Sequence, residues 1–120
     1  MSNTNTTITA GQVAPAVVNL GSGTSITLDA SQGNDYRLSL SGNTNITSMS
    51  NAVDGQRITL QIAQPSGSTG YTVSWDKSVF NFGTAGTPTL STGGNLVDVV
   101  GFVWNASLSL WLGVGAALGF

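Results

Sequence analysis

Asp35-Tyr36-Arg37-Leu38-Ser39-Leu40-Ser41 alternates apolar and polar side chains, with Tyr36, Leu38 and Leu40 on one side and Arg37 and Ser39 on the other. Successive side chains of an extended strand point to opposite faces, so this period of two predicts a half-buried β-strand. Gln56 to Gln64 repeats the pattern with Ile58, Leu60 and Ile62 on the inner side. Tyr71, Val73 and Trp75 make a third row, Ile26 and Leu28 a short fourth. Val13 to Leu20 is a looser fifth, in which Pro15 predicts an edge strand or a strand start. Gly21-Ser22-Gly23, Gln32-Gly33-Asn34, Asp54-Gly55 and Gly93-Gly94-Asn95 supply turns between these rows, at the spacing of an all-β fold. No long window free of Gly carries helical periodicity. The expectation is an all-β fold with minimal helix: an antiparallel β-sandwich or jelly-roll-like single domain over residues 11–120, preceded by a flexible or docking N-terminal arm over residues 1–10. No internal repeat shows in the sequence.

The composition narrows the chemistry. Of 120 residues, 40% are hydrophobic and only 7% charged, where an average domain carries about 25% charged residues. Enough apolar side chain is present to build a core, so the chain should fold. There is no Cys, His or Glu, which excludes thiolate and imidazole metal sites and every histidine-based nucleophile or general base. Three cations, Arg37, Arg57 and Lys77, are too few to neutralise a nucleic-acid backbone. Met1 to Thr7 has neither a basic nor an apolar segment of the secretory kind, which predicts assembly in a cytoplasm without export by that route. Leu110 to Phe120 is about half the length of a spanning helix and is interrupted by Gly, so no membrane partner is expected.

Asp29, Asp35, Asp54, Asp76 and Asp98 are the only carboxylates. Glycoside hydrolysis needs two of them flanking a sugar, but Asp35 and Asp54 sit in turn sequences and Asp29 and Asp98 near strand ends, where local backbone bonding explains them. No spacing typical of a calcium loop occurs, and neither catalysis nor a cofactor is expected. Trp75 alternates with Val73 and Tyr71 and reads as core, while Trp104 and Trp111 flank a plausible hairpin tip at Asn105 to Leu110 and stay ambiguous. Leu96 to Trp104 and Leu110 to Phe120 are apolar on both faces. Both faces could be core; alternatively a second face meets another subunit, because large apolar patches mark interfaces. Under the second reading, Val100, Phe102, Trp104, Trp111 and Phe120 form an oligomer interface.

The order Ile26-Thr27-Leu28-Asp29, Tyr36-Arg37-Leu38-Ser39-Leu40, Asp54-Gly55-Gln56-Arg57-Ile58-Thr59-Leu60, Gly70-Tyr71-Thr72-Val73-Ser74-Trp75, Pro88-Thr89-Leu90-Ser91-Thr92, Val97-Asp98-Val99-Val100-Gly101-Phe102 and a closing Trp111 with Gly119-Phe120 resembles a recurrent domain of tailed-bacteriophage virion proteins. It covers the chain from about residue 24 onward. Such domains close tail-fibre and other tail proteins, and similar small chains decorate capsids. The resemblance implies a β-sandwich module in trimeric assemblies, without enzymatic activity. A short lead before the match favours a capsid decoration or cement protein on the virion surface, whose partners are copies of itself and the major capsid protein. Thr4, Thr6 and Ile8 of the arm, with Val17 and Leu20 beside it, are the expected capsid-docking residues. The alternative is a tail-fibre tip or baseplate-associated module reading a host surface glycan through exposed aromatic and Asn side chains.

Overall fold

The computed structural model describes residues 16–67 and 70–120. The alternating segments become β1 (Val17–Gly21), β2 (Ser25–Asp29), β3 (Asp35–Ser39), β5 (Arg57–Ala63) and β6 (Val73–Trp75), the doubly apolar segments become β8 (Val97–Asn105) and β9 (Leu110–Ala117), and two strands that the sequence reading did not assign, β4 (Thr44–Ser50) and β7 (Phe80–Asn81), complete the set. The three residues Gly83–Ala85 form a 3₁₀ turn, and no other helix occurs among the described residues. The chain is all-β, as periodicity and glycine spacing predict.

The strands divide between two sheets, ordered β1-β3-β5-β8-β9-β7 and β2-β4-β6. From β1 to β6 the chain crosses from one sheet to the other after every strand, so each winding adds one strand to each sheet. The expected antiparallel pairing is corrected here. Five pairs, β1–β3, β3–β5, β2–β4, β4–β6 and β7–β9, run parallel, and only β5–β8 and β8–β9 run antiparallel. The connectors explain the difference. Residues 22–24 join β1 to β2 and residues 30–34 join β2 to β3; each carries the chain to the opposite sheet, about 10 Å away. A strand therefore returns to its own sheet in its original direction, after the other sheet's strand has served as the crossover. Alternation along a strand is the same whichever way its neighbour runs.

Register stacks like residues into rows. Ile26, Ile46 and Trp75 line up across the smaller sheet, and Val18, Tyr36, Leu60 and Val100 across the larger. The inner faces meet in one core where Tyr36, Ile46, Val100 and Trp111 are fully buried. Trp75, Phe80, Phe82 and Phe102 form an aromatic knot with ring centroids 5.3 to 5.6 Å apart, edge-on or tilted as ring quadrupoles prefer. Trp75 is core, as its alternation predicts.

Polar atoms inside the fold are spent on corners. The Tyr36 hydroxyl donates to the carbonyls of Asp29 at 2.7 Å and Gly33 at 2.8 Å; burial raises its pKa above the ordinary value, keeping it a donor. The buried Thr44 hydroxyl donates to Gly23 O at 2.9 Å. Gln64, at the end of β5, donates from Nε2 to Tyr71 O and Ser91 O and accepts from Tyr71 N, tying two loops to the sheet. Buried polar groups left unpaired cost about 1–3 kcal/mol each, so these three side chains fix where the windings turn.

Candidate interaction surface

The outward side of the larger sheet changes character along its width. On β3 and β5 the outward residues are Asp35, Arg37, Ser39, Arg57, Thr59 and Gln61. On β8 the buried Asp98, Val100 and Phe102 point inward, which turns Val97, Val99 and Val103 outward. Val103 pairs with Leu112 of β9, and the Val114 side chain lies over Gly101, 3.5 Å from where that residue's β-carbon would stand. The hairpin thus carries an outward apolar strip without one ionisable group. Val114, Leu118 and Phe120 are 61%, 47% and 70% exposed.

Phe120 is exposed yet held. Its N–H donates to Val97 O at 2.9 Å and its carbonyl accepts from Val97 N at 3.0 Å. Beside this bridge, the Asp98 carboxylate, 2% exposed, accepts from Gly119 N at 2.9 Å and from Ser91 N at 2.6 Å. No Lys or Arg pairs with it among the described residues. The charge is held by two backbone donors, the charge-assisted bonds that make such burial tolerable. A buried aspartate thereby clamps the loop at Ser91 and presents Phe120 on a fixed backbone, which spares a binding partner the entropy of ordering that aromatic.

The remaining carboxylates serve turns. Asp29 Oδ1 accepts from Ser31 Oγ at 2.6 Å, Asn51 Nδ2 at 3.0 Å and Ser31 N at 2.9 Å. These bonds, the Ser31 hydroxyl foremost, hold its carboxyl below the ordinary 3.8. The Ser78 hydroxyl and amide do the same for Asp76. Asp54 accepts from Ala106 N, and Asp35 meets Arg37 at 3.2 Å on the surface. A carboxyl whose folded pKa lies below its unfolded value adds stability above that value and loses it as pH falls through the folded one. Thermal melts should be level from about pH 7 to 5 and fall below about pH 4, with a shallower fall in the double variant Asp29→Asn, Asp76→Asn. An equal fall in the variant would move the acid sensitivity to other carboxyls.

No group of three or more metal-ligating side chains occurs among the described residues, and no helix there is long and apolar enough to cross a membrane. An open cleft of about 930 Å³ lies where two winding corners stack, lined by Ser31, Asn34, Asn51, Asp54 and Gln56 among others. Gln56 bridges its two walls, its Nε2 donating to the Ala30 carbonyl at 2.9 Å and to Asn34 Oδ1 at 3.0 Å.

The interface expected from the sequence is corrected at three of its five positions. Val100, Phe102 and Trp111 are 0%, 1% and 0% exposed within the single chain, because the second sheet and the aromatic knot cover them. Trp104 is half-buried against Trp111, with centroids 5.3 Å apart, and Phe120 is open. The apolar residues facing outward are their alternates along β8 and β9, a parity that strands apolar on both faces do not reveal in sequence. Of the expected docking residues, Thr4, Thr6 and Ile8 lie outside the described residues; Val17 is 44% exposed on the edge strand β1, while Leu20 is partly buried and packs on the core. Sequence reasoning assigned Asp98 to local backbone bonding near a strand end; the structure gives it instead Ser91 N and Gly119 N, 7 and 21 residues away, and the signal available was an Asp inside an otherwise apolar strand. Compared with protein-family models, with curated proteins and with solved structures, the chain matches none of them.

Proposed function

We propose that this chain is a non-enzymatic structural protein of a tailed-bacteriophage virion, a trimeric decoration or cement subunit bound to the major capsid protein on the outside of the head. The observation that carries the reading is the uncharged apolar strip on the outward side of β8 and β9, ending in the clamped, exposed Phe120. A surface of that kind works by burial against a partner. Because it offers no charge, salt screens little of the attraction. The resemblance of the strand sequences to virion domains supplies the setting. The glycan-reading alternative draws on exposed aromatics, and burial withdraws Trp75 and Trp111 from that role.

Copy number in purified virions tests the reading. Abundance comparable with that of the major shell protein, retained through a wash at about 1 M salt, is the expected result. A few copies per particle, with loss of host attachment on removing the protein, would transfer it to the tail.

A further inference from the structure

β2 lies at the margin of the smaller sheet, with β4 on one side and no strand on the other among the described residues. Thr24 O accepts from Asn45 N and Ala30 N donates to Ser50 O, both toward β4. Backbone groups alternate in direction along a strand, so Ser25 and Thr27 turn their N–H and C=O toward the unpaired side. Such a row templates another strand. The described chain begins at Ala16, whose carbonyl oxygen is 3.1 Å from where a Gly33 β-carbon would stand. Gly33 belongs to the corner, residues 30–34, that leads from β2 into β3. The chain therefore enters β1 over the same corner by which it enters β3.

The register of that winding extends backward along the sequence. Val17, Val18 and Asn19 face Asp35, Tyr36 and Arg37, 18 residues on in each case. The same step carries Ser25-Ile26-Thr27-Leu28-Asp29 back to Thr7-Ile8-Thr9-Ala10-Gly11 and the corner 30–34 back to residues 12–16. Each quintet sets an Ile between two hydroxyl residues and an apolar side chain two positions later. Ile26 and Leu28 are buried and Ser25 and Thr27 exposed, so Ile8 and Ala10 match the inward positions and Thr7 and Thr9 the outward ones.

We propose that the free edge of β2 is a strand-addition site whose occupant is this chain's own segment Thr7 to Gly11, which lies outside the described residues, paired parallel with Ile8 beside Ile26. The row of Ile26, Ile46 and Trp75 then begins at Ile8, which joins the core instead of meeting the capsid, and Thr7 and Thr9 face outward. The segment carries neither charge nor Pro, so nothing in it opposes a ladder. Its tether to β1 is as long as the corner it stacks on, and a short tether gives an effective concentration that no free partner matches. The inference concerns the folded chain alone and does not depend on the virion reading.

The chain has no Cys, so engineered pairs report the register directly. Thr9→Cys with Thr27→Cys sets two thiols side by side on the outward face, within reach of a disulfide, whereas Ala10→Cys with Thr27→Cys sets them on opposite faces. Under mild oxidation at high dilution, the first pair should close within a single chain and the second should stay reduced. Amide exchange reads the same edge without oxidation. In the wild-type chain the Ser25 and Thr27 amides should be protected. Ile8→Asn should speed their exchange at least about tenfold while Leu60 in β5 keeps its rate, and Thr9→Asn should change neither. Rapid exchange at Ser25 and Thr27 in the wild-type chain overturns the proposal, because the edge is then empty; so does protection there that ignores Ile8→Asn. Failure of the first pair to close, or equal closure of both, overturns it by removing the register. A disulfide formed only between two chains overturns it by handing the edge to a second copy.

Discussion

Trp111→Ala should lower the stability of the isolated chain by about 3–5 kcal/mol, the cost of emptying a large buried aromatic site. Trp111 is fully buried, stacks at a tilt on Trp104 and anchors the register between β9 and β7 through Phe80. Its indole N–H has no acceptor among the described residues, so packing alone holds the side chain. Removing it opens a void between the hairpin and the aromatic knot that neighbouring rings can fill only by leaving their rotamers. Denaturant unfolding at low protein concentration measures the effect, with the slope unchanged if both states keep their compactness. A loss below about 1 kcal/mol in a dispersed single chain would mean that the residue belongs to a subunit interface instead.

Asp98→Ala should cost about 2–4 kcal/mol through the two backbone donors it orphans. Alanine leaves Ser91 N and Gly119 N without their acceptor in a site that is 2% exposed. Desolvating a charge no longer has to be offset, which keeps the loss below the sum of the two bonds. Asp98→Asn should recover little, because an amide offers one acceptor and turns a donor toward one of the two N–H groups. The distinguishing readout is local: amide exchange at Gly119 and Phe120 should accelerate more than exchange at Leu60 or Ile62 in β5. A uniform acceleration would make Asp98 a general core residue and remove the reason for calling Phe120 a preset anchor.

How far the sequence could be read differs from element to element. The inward sets Tyr36, Leu38, Leu40 and Ile58, Leu60, Ile62 were legible because each strand shows one polar face to solvent, and the structure buries every one of them. The two-sheet winding was not legible. Val17 pairs with Asp35 and Asp35 with Thr59, so successive windings advance by 18 and then 24 residues. Unequal loops erase the fixed period by which a repeat is normally recognised. Parity failed on β8 and β9 for a related reason: with Val97 through Val100 apolar at three of four positions, nothing in the string says which alternate set faces the core.

The amino-acid string determined that this chain is made of half-buried strands joined by glycine-rich turns, without histidine, thiol or clustered charge, because side-chain period and residue chemistry are local properties. Only the tertiary structure decided that β1 to β6 alternate between two sheets with parallel neighbours, while β8 pairs antiparallel with β5 and β9, and that Val100, Phe102 and Trp111 are sheltered by the chain itself. Those outcomes depend on which strands lie side by side, a contest between distant segments settled by the combined burial of the aromatic knot and by the backbone groups that Gln64, Tyr36 and Asp98 satisfy.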